Sequence, residues 1–330
     1  MVTTSRRQFL AGGTALGLSL MASGVVSAQD ARRSRLILLG TQGGPNIRLE
    51  RGETASALVV DGVTYLVDCG YGTLRALRAA GLQFRDIANV FITHLHDDHV
   101  ADLPAFMSHQ WTSGRVDKTD IYGPYGTEAM VEAGIAFQKA NTEIRLVDEA
   151  RSVRPESIFH GHDLKATAAP AAVYKDERVT VTSAENTHFP PESKAKMPYR
   201  SVAYRFDAPD RSVVFSGDTA YSENLVKLAR GADILVCEAM EEATTRRNFE
   251  RRVAEGAYKD NPEGIWHHVQ GTHSRLEVVG RMATEAGVKT VVLNHLVPGA
   301  LIEIPESDYI NGVRETFNGE VIVGRDGLVL

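Results

Sequence analysis

The sequence predicts a layered α/β domain built on mixed β-sheets. Three observations carry that prediction. Short apolar runs alternate with helical patterns along the chain, some runs are joined as tight hairpins, and the residues suited to chemistry fall just past strand ends. No repeat or low-complexity linker interrupts the pattern.

Leu36-Ile37-Leu38-Leu39 reads as the first strand, ended by the turn from Gly40 to Pro45. Ala57–Val60 and Tyr65–Asp68 flank Asp61-Gly62, a pair that accepts the left-handed backbone of a two-residue hairpin. Leu74, Leu77 and Arg78 begin a short helix that stops at Gly81. Asn89-Val90-Phe91-Ile92 is a strand that delivers the chain to Thr93-His94. Asp120–Pro124 reads as strand and turn, and Gly126 to Ala140 as one helix. The stretch from Asn141 to Asp163 shows no dominant period. Residues 100–187 are the least regular region and are where a pocket wall or lid is expected. Phe106, Trp111, Phe137 and Phe159 are its candidate lining, or else core. Ser201–Phe206 and Ser212–Ser216 form a second hairpin across Pro209-Asp210. Leu225, Val226 and Leu228 mark a helix before the strand Asp233–Glu238, and the helix Arg275–Ala286 leads through Gly287 to the strand Thr290–Asn294.

Residues 1–28 read as an export signal. Ser5-Arg6-Arg7-Gln8-Phe9-Leu10 is a twin-arginine pattern, followed by a Gly/Ala/Leu-rich stretch and the small-residue cleavage site Val26-Ser27-Ala28. The alternative, a membrane anchor, is disfavoured because Gly12, Gly13, Gly17, Ser19, Ser23 and Gly24 make the stretch short and polar for a span. The expectation is a mature chain from about Gln29, passed by the twin-arginine machinery to the periplasm or the medium, with no stable membrane insertion. Residues 29–330 then form a single domain. The chain has a formal charge of −6, and losing a leader with two arginines and no acid makes it two units more negative. Because phosphate affinity is largely electrostatic, that charge disfavours nucleic acid as a partner. Cys69 and Cys237 are the only cysteines and each follows an apolar run, so two buried unpaired thiols are expected. Nothing in the pattern sets an oligomeric state.

The chemistry concentrates in His94-Leu95-His96-Asp97-Asp98-His99, three imidazoles and three acid or apolar spacers that include two carboxylates. Neutral imidazole and carboxylate are the usual ligands of zinc and its neighbours. In an extended segment His94 and His96 point the same way, and a turn through Asp98 brings His99 back beside them. Further along stand Asn186-Thr187-His188, Ser216-Gly217-Asp218-Thr219 and Leu293-Asn294-His295-Leu296. Taken singly, Asp218 is equally a turn residue, and His188 or His295 a satisfied core histidine. Two divalent ions about 3.5–4 Å apart repel, which an anionic bridge such as Asp218 offsets, and a water between them becomes a nucleophile near neutral pH.

With these residues the chain resembles the metallo-β-lactamase superfamily, whose His-x-His-x-Asp-His motif stands here as His94, His96, Asp98 and His99. Gly40-Thr41 and Val67-Asp68-Cys69-Gly70 are similar to the opening of that fold. The resemblance implies an αβ/βα four-layer sandwich with two mixed β-sheets and two divalent metal ions, zinc first, with manganese or iron as alternatives. It implies that His94, His96 and His188 hold one metal, that Asp98, His99 and His295 hold the other, and that Asp218 is shared.

Within the superfamily the chain resembles the ribonuclease Z and arylsulfatase-like branch, on Thr272-His273-Ser274-Arg275, with Arg275 departing from that branch's usual Thr. By that resemblance His273 is a general acid, Glu238 orients it, and Asp98 counts among the catalytic residues as well as the ligands. Ribonuclease Z carries a long tRNA-binding arm between its third and fourth motifs. His188 and Asp218 are 30 positions apart, which leaves no room for one. The expectation is therefore an exported hydrolase of a small-molecule ester, first an aryl or alkyl sulfate, then a phosphodiester, phosphotriester or lactone. An iron-dependent oxidoreductase of the same fold and a non-catalytic metal-binding protein are the other classes. Asp68 is expected either to support a ligand imidazole or to close a turn. His109, in a helical stretch, is expected at the surface or pocket, His267 and His268 on a loop or in the pocket, and His160 and His162 flank Gly161 in the stretch with no dominant period.

Overall fold

The structure is a computed structural model and describes residues 33–298 and 304–330. The twin-arginine leader lies outside the described residues.

Six strands form the first sheet in sequence order: β1 (Ser34–Gly40), β2 (Ala55–Val60), β3 (Val63–Val67), β4 (Asn89–Phe91), β5 (Thr119–Pro124) and β6 (Phe159–Leu164). The β1–β2 and β2–β3 pairs are antiparallel, and the pairs from β3 to β6 are parallel. The second sheet has the order β13-β12-β11-β10-β9-β8-β7. Its strands are β7 (Ala171–Lys175), β8 (Thr180–Glu185), β9 (Val202–Asp207), β10 (Ser212–Phe215), β11 (Ile234–Met240), β12 (Thr290–Val297) and β13 (Glu320–Val323). Here β7 to β10 are antiparallel neighbours and β10 to β13 parallel ones. Both sheets are thus mixed, and each places a parallel edge against its antiparallel half.

Around the first sheet lie the helices α1 (Thr73–Ala79), α2 (Asp97–Val100), α3 (Leu103–Thr112), α4 (Thr127–Phe137) and α5 (Lys139–Asp148). The second half carries α6 (Pro191–Lys194), α7 (Glu223–Leu228), α8 (Glu242–Ala254), α9 (Pro262–Thr272), α10 (Leu276–Ala286) and α11 (Glu306–Arg314).

Side-chain alternation explains the layering, because successive residues of a strand face opposite sides. In β1, Leu36 and Leu38 join the apolar cluster between the two sheets, while Ile37 and Leu39 join the cluster under α1, α3 and α4. In β11, Ile234 and Val236 face the other sheet, and Leu235, Cys237 and Ala239 face α7 and α10. Three stacked cores make four layers, the αβ/βα sandwich that the resemblance implies. The β2–β3 turn has φ of 47° at Asp61 and 81° at Gly62, the geometry a two-residue hairpin needs.

The expected helix from Gly126 to Ala140 is two helices, broken at the buried Gln138, whose ψ of 5° leaves the helical range. The stretch from Asn141 to Asp163 contains α5 and β6, and β6 has no apolar period because it is a half-buried edge strand. Cys69 and Cys237 are buried and free, in different cores. Among the described residues no helix is long and apolar enough to cross a membrane.

Candidate metal centre

The strand β4 lies between two parallel partners, so its C-terminal end opens at the sheet edge where ligands collect in α/β folds. Past it, His94 and His96 follow in extended backbone, and α2 begins at Asp97 with His96 as its cap residue. That single helical turn swings Asp98 and His99 back toward His94, with their ring centroids (His94 to His99) 4.1 Å apart. From the second half come His188 after β8, Asp218 after β10 and His295 within β12.

His295 owes its direction to a β-bulge. Asn294 pairs with Glu238 and Leu296 with Ala239, which leaves His295 as the extra residue with φ of 38°. A bulge re-aims one side chain without ending the sheet, and non-glycine residues held in that region cluster at functional sites. Asp68 is a second such residue, with φ of 60°. Gly70 follows it because a Cβ there would stand 2.2 Å from the Asp98 carbonyl oxygen.

All seven residues proposed as ligands meet. His96 Nδ1 lies 3.1 Å from both His94 Nε2 and His188 Nε2. Asp98, His99, Asp218 and His295 form an adjoining set, each set having its ligand atoms within 4.8 Å of one another. Asp218 reaches both. Its Oδ1 is 3.2 Å from His99 Nε2, and its Oδ2 is 3.1 Å from His295 Nε2, 3.8 Å from His94 Nε2 and 4.0 Å from His188 Nε2.

The donor chemistry fits divalent ions. His99 Nε2 and Asp218 Oδ1 are buried and 3.2 Å apart, yet neither has a hydrogen-bond partner. Burial holds His94 and His188 well below the ordinary imidazole range, which keeps them neutral and able to ligate. Burial alone would raise Asp98 and Asp218, but His99 and His295 hold both below the usual carboxylate range. The same carboxylates overcome burial at His295 and push it up to about 10. The set is a pair of buried anions that demands positive charge.

A supporting layer fixes the imidazoles. Asp68 Oδ2 is 2.9 Å from His99 Nδ1, while its Oδ1 accepts from the Thr93 backbone N–H at 2.8 Å. His188 Nδ1 lies 3.3 Å from the Thr272 carbonyl oxygen. His273 caps the C-terminus of α9, and its Nδ1 is 2.8 Å from Glu238 Oε2. Burial lowers the His273 pKa, but the Glu238 carboxylate outweighs it and the net direction is up. Glu238 is anchored in turn by the Thr219 backbone N–H.

A cavity of about 300 Å³ opens beside the cluster, with His96, Asp98, Asp218, His273 and His295 at its floor. Its walls are the loop from Gly43 to Arg48 and the helices α8 and α9. Residues 100–187, expected as wall or lid, contribute no lining residue to it. Phe106, Trp111 and Phe159 are buried in the core beneath the first sheet, and Phe137 is 72% exposed on the far end of α4. Aromatic content in an irregular stretch does not distinguish core from pocket.

Among the other histidines, His268 lines the cavity, 5.2 Å between ring centroids from His188, and burial lowers its pKa to about 4. His109 and His267 are exposed. His162 stacks on Tyr122 with its Nε2 2.7 Å from Asp120, and His160 is half-buried on the same strand. Arg275, the departure in the His-Ser-Thr element, pairs with Glu242 at 2.8 Å and so ties that element to α8. No motif in residues 241–271 singles out Phe249, Arg252 and Tyr258 of the cavity wall. The paired arginines at 246–247 and 251–252 were the available signal.

The sequence matches the family described as "Beta-lactamase superfamily domain" over residues 64–296. It is similar to Ribonuclease Z of Mycobacterium bovis (strain BCG / Pasteur 1173P2), with 29% identity over 88% of this chain and 95% of that protein. The fold is similar to that of human tRNase Z, short form, with a TM-score of 0.63 and 20% identity over 90% of this chain and 98% of that one. It is also similar to the metallo-beta-lactamase fold protein YhfI from Bacillus subtilis, with a TM-score of 0.61 and 19% identity over 90% and 99%.

These likenesses correct two expectations. A small-molecule sulfate ester as substrate, and the exclusion of nucleic acid, are overturned by the near full-length similarity to a protein named Ribonuclease Z. The error was physical. Net charge sums over the whole surface, whereas a polyanion meets only the residues around the site, and here Arg48 and Arg252 line the cavity. The short interval between His188 and Asp218, filled by α6 and the β9–β10 hairpin, speaks to an arm and not to the substrate.

Proposed function

From the premise that this chain belongs to the metallo-β-lactamase superfamily and is a metal-dependent hydrolase of ester bonds, we propose that it is a phosphodiesterase that cleaves RNA. The observation that carries the proposal is Asp218 standing between two sets of ligand atoms at the floor of a cavity, in a chain similar to ribonuclease Z along most of its length.

His94, His96 and His188 would hold one ion, Asp98, His99 and His295 the second, and Asp218 both, with zinc the first choice of metal. When bound, the ions supply Lewis acidity and an acidified water. The remaining work falls to the chain. Asp68 and the Thr272 carbonyl oxygen hold the ligand imidazoles in one tautomer. Glu238 engages His273 Nδ1, which leaves Nε2 to give a proton to the departing oxygen of the phosphodiester.

The test combines elemental analysis with turnover. Purified protein should carry zinc, and it should cleave a labelled oligoribonucleotide as well as bis(4-nitrophenyl) phosphate. A fully metal-loaded protein that hydrolyses the small diester but leaves RNA intact would defeat the RNA assignment. We also propose that the Arg6-Arg7 leader directs export to the periplasm or medium. Substituting both arginines with lysine should hold the protein in the cytoplasm on cell fractionation, and unchanged export would reject the leader's role.

A further inference from the structure

The helical pair α8–α9 has an unusual composition for a surface excursion. Phe249, Tyr258 and Trp266 are half-buried, yet none belongs to the three cores of the sandwich. They pack on one another instead. Phe249 and Tyr258 are stacked at 5.3 Å with 12° between planes, and Phe249 lies 5.4 Å from Trp266. Phe249 and Tyr258 both line the cavity above the ligand cluster.

Cationic groups are threaded through these rings. The Arg252 guanidinium lies 5.2 Å over Tyr258 and donates to Asn46 on the opposite wall. Arg246 lies 5.5 Å over Trp266. Along α8 stand Arg246, Arg247, Arg251 and Arg252 against Glu242 and Glu250, in a chain whose net charge is −6. An aromatic wall that places Arg252 in the cavity, facing Arg48 beside a hydrolytic floor, suits a ligand that is both anionic and planar.

We propose that α8–α9 is the strand-reading wall of the site. Arg252 takes a phosphate next to the scissile one, and the Phe249–Tyr258 pair packs against a neighbouring base where it lines the cavity. This rests on the RNA phosphodiesterase reading above. Single-stranded nucleic acid is held in this way elsewhere, by charge that follows the backbone and by rings that stack on bases without regard to sequence. Holding Arg252 on Tyr258 limits the side-chain freedom lost when the phosphate arrives, and the phosphate competes with the bond to Asn46.

The test is binding, measured by fluorescence anisotropy on the full metal-loaded chain. The probe is a labelled single-stranded oligoribonucleotide with phosphorothioate linkages, which keep the charge and resist cleavage. R252Q and Y258L should each weaken binding by roughly tenfold, and R252K by less. R252Q should also flatten the dependence of log affinity on log salt by about 0.7, the loss of one phosphate contact. Unchanged affinity and slope in both R252Q and Y258L, or no binding by the unmodified protein, overturns the proposal. Cleavage of ordinary RNA separates the two readings. Binding that responds to the substitutions without any cleavage rejects the phosphodiesterase and leaves the wall, whereas cleavage with indifferent variants does the reverse.

Discussion

His273 and Glu238 are joined across the site, imidazole Nδ1 to carboxylate Oε2 at 2.8 Å, one from the end of α9 and the other from the middle of β11. The strand fixes the carboxylate, so the imidazole presents its other nitrogen in one direction. Replacing His273 with Ala should keep the metal content and lower kcat by about 10²–10⁴. The loss should grow as the leaving group becomes a poorer one, read from a series of aryl and alkyl phosphodiesters. A uniform loss across the series argues that His273 shapes the pocket and does not donate a proton.

Asp218 is the residue both ligand sets share, so Asp218→Ala should remove metal and activity together. Elemental analysis should show a clear drop in ions per chain, and turnover should fall by at least about 10³, since polarisation by the ions is worth several kcal/mol. A variant that keeps its metal and its rate rules out the bridging assignment.

Asp68 touches no proposed substrate space and acts through His99. Asp68→Ala should weaken metal affinity by about 10- to 100-fold in competition with a coloured chelator. Activity should return when excess metal is supplied. Failure to recover at saturating metal would mean that Asp68 does more than orient an imidazole.

Away from the centre, Asp176 collects the hydroxyls of Tyr65 and Tyr174 and the backbone N–H groups of Arg178 and Val179. Burial would raise its pKa, but these donors outweigh burial and lower it. A depressed carboxylate stabilises the fold above its unfolded value of 3.8, and that contribution is lost as pH falls through the lower folded value. Asp176→Ala strands the buried Tyr65 hydroxyl and should cost about 1–3 kcal/mol in urea unfolding near neutral pH. The gap between the two proteins should narrow from about pH 5 to about pH 2. A gap independent of pH would place the effect in packing alone.

Local patterns were readable where a local cause sets them. Asp61-Gly62 needs a left-handed turn, and β1 and β11 alternate because each has two buried faces. The run from His94 to His99 announces its chemistry by composition. What escaped the sequence depends on tertiary placement. His295 looks like any strand residue until the register shift against Glu238 is seen. Phe106 and Phe249 are equivalent on paper, yet one fills a core and the other lines the cavity, because only the fold decides which helix overhangs the site. Arg252 at the cavity wall escaped for a similar reason, since one arginine is invisible in a sum of charges.

The two sheets contribute unequal shares to the centre, with His94, His96, Asp98 and His99 from the first and His188, Asp218 and His295 from the second. Neither share can complete a site alone. During synthesis the first four emerge before His188, Asp218 and His295. Under the proposed assignment a full metal complement would be captured only after the two sheets have docked. Ions held there would act as a clasp between the halves, and their presence would report completed assembly.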